Sequence, residues 1–254
     1  MLLADPAFTT PAEGSIYTQL AVMPTPDSLV IAFADGRQVQ LLSRDGRRAR
    51  SAERIGDGPG EWRYVTWVGP DPDGVALVDV ATFRVVRLFP DLAPAGQASV
   101  PPIVRGGAVV GRLGNGTFVS LLDPPRIPGV GSQRFATTLI QWRADSTRVD
   151  TLGALPGTDV FIDPAEQMFV RVPGGRVDWA AARDSIVVAG NGGDDSVLVV
   201  AGPTKRWIRL PGLATGAQLD AAAIAAFVDD QVSQAPDTDD RKRMRRTFAK
   251  VQPP

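Results

Sequence analysis

Eleven short runs of β-branched, leucine and aromatic residues, each five to seven long, recur between Gly, Pro and Asp breaks from residue 15 to 212. They are SLVIAFA (28–34), QVQLL (38–42), YVTWV (64–68), VALVDV (75–80), RVVRLF (84–89), AVVGRL (108–113), TFVSLL (117–122), TTLIQW (137–142), SIVVAG (185–190), VLVVAG (197–202) and RWIRL (206–210). Each has the length and content of a strand, and turn residues separate them. DPDG (71–74), RDG (44–46) and GNG (114–116) supply tight hairpins. No long helical pattern precedes residue 217 and no βαβ alternation occurs, so this part of the chain is all-β and antiparallel.

Composition limits the chemistry. The 254 residues include no Cys, which removes disulfides, thiolate nucleophiles and cysteine metal sites. They also include no His, which removes Ser-His-Asp catalysis, histidine ligation and the usual near-neutral proton shuttle. Any reaction must therefore run on carboxylates, Arg, Tyr, Lys or an oxygen-bound cation. A net charge of −1 creates no field drawing the chain to nucleic acid or an anionic membrane. Arg far outnumbers Lys among the 27 basic residues, as codon bias in a GC-rich bacterial genome would produce. No apolar run approaches the ~20 residues that span a bilayer. The start, MLLADPAFTTPAEG, lacks the basic and apolar regions of a signal peptide. That leaves a cytoplasmic protein, or an extracytoplasmic one whose chain begins after such a segment.

The runs repeat. LVIAFADGRQVQLLSRDG overlays ALVDVATFRVVRLFPDLAPAG, matching Val39 with Val86, Leu41 with Leu88 and Leu42 with Phe89, an offset of 47 residues. TLIQWRADSTRVDTLG overlays VLVVAGPTKRWIRLPG as a second pair of outer hairpins. A period of roughly 40–50 residues built of four short strands is that of a propeller blade. Four blades are expected, over about 15–55, 62–100, 103–153 and 158–212, making residues 1–212 a β-propeller and 213–254 a helical insertion or tail.

RIGDGPGEWRYV (54–65) raises the one question of nucleotide chemistry. In a dinucleotide fingerprint, G-x-G-x-x-G joins a strand to a helix. Here Glu61 stands at the third glycine position, Pro59 lacks an N–H, and Asp57 repels phosphate. The residues beyond Glu61 are β-patterned, so no helix dipole is available to an anion. Gly56, Gly58 and Gly60 instead let the chain leave one blade's outer strand and dive to the inner strand of the next.

RIGDGPGEW followed by DPDGVALVDVATFRVVRLFPDLAPAG resembles six-bladed β-propellers of the NHL-like type. Those carry a GxGPGEF junction and a blade of the form dG-xhxVxD…xRhxxF…G. Gly56, Gly58, Pro59, Gly60, Glu61 and Trp62 fill the junction; Asp73, Gly74, Val78, Asp79, Arg84 and Phe89 fill the blade. The resemblance implies six blades, so four with VQPP at the end read as a partial propeller. An open array would expose two sheet faces and favour self-association. The resemblance also places Asp79 and Arg84 around one inter-strand loop, where an Asp–Arg pair bridges it structurally.

Other candidates have plainer readings. DPDG starts like a calcium loop, but Thr82 stands where an EF-hand needs its bidentate Glu, so it is a hairpin turn. NGT (115–117) matches a glycosylation sequon and reads as a turn. QLDAAAIAAFVDDQVSQ (218–234) carries Ile224, Phe227, Val228 and Val232 at helical spacing, with Asp220 as N-cap and Pro236 beyond its end. DTDDRKRMRRTFAK (237–250) forms a second helix, acidic first and basic after, as the macrodipole prefers. Its Arg241, Lys242, Arg243, Arg245 and Arg246 read as a solvated face and not as a nucleic-acid surface, since no aromatics interleave them.

Two functional readings are open. The first is a non-catalytic binding or scaffold module, holding a protein or small molecule at the rim or channel and needing no cofactor. The second is a propeller hydrolase or lactonase; resemblance to gluconolactonase-like enzymes implies a divalent cation such as Ca2+ on oxygen ligands at the channel. Its candidate ligands are Asp79, Asn115, Asp123, Asp163, Asn191 and Asp195. The supply is thin: the chain has two Asn and four Glu.

Overall fold

A computed structural model describes residues 17–22, 30–34, 37–42, 48–122, 129–172, 177–182, 185–190, 196–210 and 221–251. The strands are β1 (Tyr17–Val22), β2 (Val30–Ala34), β3 (Gln38–Leu42), β4 (Arg48–Glu53), β5 (Val65–Asp71), β6 (Gly74–Asp79), β7 (Arg84–Leu88) and β8 (Pro94–Ser99). After a 3-10 turn at Pro102–Val104 come β9 (Ala108–Arg112), β10 (Phe118–Leu122), β11 (Gly131–Trp142), β12 (Val149–Asp163) and β13 (Met168–Arg171). Next are β14 (Val177–Ala182), β15 (Ser185–Gly190), β16 (Ser196–Ala201) and β17 (Thr204–Arg209), then helices α1 (Ala221–Ser233) and α2 (Thr238–Phe248).

The sheets run β1-β2-β3-β4, β5-β6-β7-β8, β13-β12-β11-β10-β9 and β14-β15-β16-β17. Three are antiparallel meanders of four strands, as sequential hairpins dictate. The chain divides into two compact units, one of Met1–Ser120 with Ile140–Asp150, the other of Leu121–Leu139 with Thr151–Pro254.

In the first unit the opening strands of consecutive sheets are neighbours: β1 lies beside β5, and β5 beside β9. A strand buried on both faces reads as continuously apolar, and every residue of β6, GVALVD, is buried. Val39 and Leu41 of β3 pack with Val65, Val68, Val75, Leu77, Val86 and Leu88 in one cluster closed by Trp62 and Leu92. The overlay of Val39 on Val86 and Leu41 on Leu88 therefore holds in space: all four sit on third strands and are at most 1% exposed. Phe89 falls one residue past β7 and is 45% exposed. Between the second and third sheets, Trp67 meets Phe118 edge-on at 5.5 Å, and Phe118 stacks on Trp142 at 4.6 Å. Trp142 Nε1 donates to the buried Ser120 Oγ at 2.8 Å, so the indole N–H of Trp142 is satisfied.

Two hairpins obey their turn residues. Asp71 pairs with Gly74 across Pro72-Asp73, and a side chain on Gly74 would stand 2.1 Å from the Leu88 carbonyl oxygen. Asn115 Oδ1 accepts from Thr117 N at 3.0 Å, with Gly116 at φ 82°. The RDG turn lies outside the described residues.

In the second unit, β12 pairs with β13 across a turn at 164–167, and helix α2 packs on β13. The helix begins where the sequence places it: Asp237 caps it, accepting from Asp239 N and Asp240 N. The Asp220 cap expected for α1 lies outside the described residues. Phe227, Val228 and Val232 of α1 join Val170, Met168, Phe161, Met244 and Phe248 in one apolar cluster. The basic residues of α2 are mostly exposed, as a solvated face would be, but they are also paired. Arg246 grips Glu166 bidentately at 2.8 and 2.8 Å, Arg243 Nε donates to the Glu166 carbonyl at 3.0 Å, and Lys250 meets the buried Asp163 at 2.6 Å. Arg245 pairs with Asp229 and Lys242 with Asp239, both at 3.4 Å, and Arg241 Nε donates to the Ala235 carbonyl at 3.4 Å.

The hydrogen bond from Lys250 holds the Asp163 carboxyl below its ordinary range, and that from Arg246 does the same for Glu166. A depressed carboxyl stabilises the fold above its unfolded pKa and loses that contribution as pH falls through its folded one. Amide-exchange protection of α2 is therefore expected to hold down to about pH 4, the unperturbed carboxyl range, and to fall only below it. In Lys250→Ala protection should be lower already at neutral pH, and the part of it lost on acidification should be smaller. Wild-type protection that fades already near neutrality would contradict this docking.

Candidate functional site

The glycine-rich junction joins β4, at the outer end of the first sheet, to β5, at the inner end of the second. Trp62 N donates to the Arg54 carbonyl at 2.8 Å and Gly56 N to the Trp62 carbonyl at 3.1 Å, so the loop closes on itself. Its anion is the chain's own: the Glu61 carboxylate accepts from Gly58 N at 2.7 Å. Side chains on Gly56 and Gly58 would stand 2.0 and 2.8 Å from Glu61 Oε2, so both glycines make room for that carboxylate. Gly60 has φ 75°, and a Cβ on it would be 2.5 Å from Pro94 Cβ. Trp62 is fully buried, its Nε1 donating to the Arg37 carbonyl at 2.7 Å.

Asp79 and Arg84 are cross-strand partners in register, but they do not form the expected ion pair. Asp79, fully buried, accepts from Arg63 N at 2.9 Å, from Tyr64 N and Ala81 N at 3.0 Å each, and from Thr82 Oγ1 at 2.5 Å. Arg84 turns the other way, donating to the Asp57 carbonyl at 2.8 Å and to Gln97 at 3.2 Å. The physical reason is competition: a carboxylate already surrounded by three amides and a hydroxyl has little left to offer a guanidinium, whereas the Asp57 carbonyl is accessible.

Among the described residues, each candidate metal ligand has partners of its own. Asp79 is saturated, Asn115 caps its own turn, and Asp163 is in the second unit against Lys250. Asp123, Asn191 and Asp195 lie outside the described residues. Among the described residues no three Asp or Glu side chains are grouped to hold a metal ion.

What the first unit does assemble is a recess of about 330 Å³ lined by Ala76, Arg87, Arg112, Gly116, Phe118, Arg143, Ala144 and Ser146. Arg112 closes β9, Arg87 projects from β7, and Arg143 comes directly after β11. Arg112 is held on three sides. Its Nη2 meets Asp71 Oδ1 at 2.8 Å, its Nη1 donates to the Pro70 carbonyl at 3.0 Å, and its guanidinium carbon lies 5.6 Å from the Phe118 ring centre. Its buried Nε has no hydrogen-bond partner among the described residues. Arg143 Nη2 donates to the Asn115 carbonyl at 3.1 Å, and Arg87 reaches Asp71 only at 3.9 Å. The point where a Gly116 side chain would begin is 3.5 Å from Arg112 Nη2 and 3.7 Å from Arg143 Nη2, so the two cations converge above that glycine. Burial most of all, then Arg87 and Arg143, pull the Arg112 pKa below its ordinary value, against the opposing pull of Asp71.

Sequence reasoning did not find these three arginines. They come from separate hairpins, in a chain where Arg is common, and no local motif marks them. The nearest signal is placement: Arg87 and Arg112 each stand beside a buried leucine at a strand end, Leu88 and Leu113.

No protein-family model matches the chain, and no curated protein does. Among solved structures, a member of the DUF4221 family from Bacteroides vulgatus aligns at TM-score 0.50 and 10% identity, covering 83% of this chain and 62% of its own. BamB from Moraxella catarrhalis aligns at 0.34 and 11%, covering 76% of this chain and 73% of its own. The WD40 domain of SCAP from fission yeast aligns at 0.33 and 11%, covering 80% of this chain and 46% of its own. This chain thus spans less than two thirds of the length of the DUF4221-family protein. The fold is all-β and propeller-like, with two helices near the C-terminus.

Asp79→Ala would leave three backbone N–H groups without their acceptor, at about 1–3 kcal/mol for each buried donor. Arg84→Ala removes a partly solvated contact and is expected to cost less than about 1 kcal/mol. Urea unfolding of both variants checks this asymmetry; equal losses would restore the Asp79–Arg84 pair.

Proposed function

We propose that this chain is a non-catalytic binding or scaffold module built on NHL-like blades of the six-bladed type. One observation carries the reading: the recess of the first unit is furnished with cations for holding and not with groups for proton transfer. Its lining presents three guanidiniums, and the neighbouring carboxylate of Asp71 is engaged by Arg112. Arginine forks with an aromatic wall are recognition chemistry. The ligand is a small molecule, or a side chain of a protein partner, that reaches the recess.

The competing reading is a calcium-dependent lactonase. It needs several oxygen ligands on one cation, and Asp79, Asn115 and Asp163 are each occupied elsewhere.

In a thermal-shift assay, calcium is expected to leave Tm unchanged, and lactones are expected not to be turned over. Small ligands that raise Tm of the wild-type chain should lose that effect in the double variant Arg87→Gln/Arg143→Gln. A calcium-dependent rise in Tm together with lactone hydrolysis would overturn the non-catalytic reading.

A further inference from the structure

Three positive charges share one negative charge in the recess. Arg112 satisfies Asp71 at 2.8 Å, and Arg87 adds a distant second claim at 3.9 Å, leaving two charges uncompensated among the described residues. Like charges gathered at the mouth of a low-dielectric recess raise the local potential and concentrate counter-ions. Few of the guanidinium donors are spent: a guanidinium has five N–H groups, Arg143 commits one at 3.1 Å, and Arg87 makes no short hydrogen bond among the described residues. Ser146 Oγ already accepts from Arg148 N at 3.0 Å, so its own O–H remains available to donate. Gly116 supplies the clearance, since any side chain there would enter the gap between Arg112 and Arg143. Phe118, Ala76 and Ala144 give apolar walls.

We propose that this recess binds a small oxyanion, a carboxylate or a phosphate ester, with Arg87 and Arg143 as its forks and Arg112 as the buried charge behind them. The assignment rests on the binding-module reading and names its ligand class. Arg112 is a positioned cation: Pro70, Asp71 and Phe118 fix its plane, which avoids the entropy of ordering a long side chain on binding. Arg87 and Arg143 are the adjustable partners, Arg87 with a side chain 48% exposed. A volume of about 330 Å³ is at the lower end for small-molecule sites and suits a ligand of metabolite size, not an extended chain.

The test is isothermal titration of the full chain with sodium phosphate in one arm and sodium citrate in the other, each balanced with sodium chloride to constant ionic strength. Saturable binding in either arm is expected, and the arm that binds more tightly distinguishes phosphate from carboxylate chemistry. Arg143→Gln and Arg87→Gln, both at exposed positions that leave the core intact, should each weaken it by roughly tenfold. Arg206→Gln, on β17 of the other unit, should leave it unchanged. Arg112→Gln should abolish binding if it folds; the two exposed variants decide the matter if it does not. No saturable heat in either arm, or wild-type affinity retained in both Arg87→Gln and Arg143→Gln, overturns the assignment. Lactone turnover measured on the same sample separates the two failures. Absent binding without turnover removes only the oxyanion ligand, while calcium-dependent turnover removes the non-catalytic reading beneath it.

Discussion

The first unit depends on burying the faces of one four-stranded sheet against the next. A lone sheet of this size cannot shield both faces of a strand as apolar as β6. Laying β3 against β5, β6 and β7 removes those faces from water together, with Trp62 filling the corner where the chain passes between sheets. The junction must therefore satisfy two demands at once: place a large indole in the core, and turn the backbone sharply enough to start the next inner strand. Small residues at 56, 58 and 60 meet the second demand, and the Arg37 carbonyl meets the polar end of the first.

Much of this was legible in the residues. All eleven apolar runs overlap strands within a residue or two at most boundaries, and the overlay of Val39 on Val86 marks equivalent buried positions. Three of the strands that were not legible have physical reasons. β4 (RARSAE), exposed at Arg50, Ser51 and Glu53, and β8 (PAGQAS), exposed at all but Ala98, are outer strands that carry no apolar signal. β12 contains Gly153, Pro156 and Gly157, turn residues that hide a strand of 15 residues. Helix α1 was readable from its 3.6-residue pattern and α2 from its acidic-to-basic charge order, but their docking was not. Glu166 sits in a turn 80 residues before Arg246, and nothing local joins them.

The site was least legible, for a reason that belongs to this architecture. Hairpins bring strand ends together from distant parts of the chain, so a constellation such as Arg87, Arg112 and Arg143 has no spacing to recognise. Asp79 shows the complementary error. Its sequence context proposed a charged partner, whereas a buried loop with three amides to satisfy had the stronger claim on its carboxylate. Charge complementarity is easy to read from letters; backbone demand is not.

The Glu61 carboxylate seated over the Gly58 amide has a consequence for how such a molecule responds to its surroundings. The joint between its first two sheets carries an anion of its own, held on the Gly58 amide at an effective concentration that no dissolved metabolite matches. The spacing of those sheets is thereby insulated from the solutes around them.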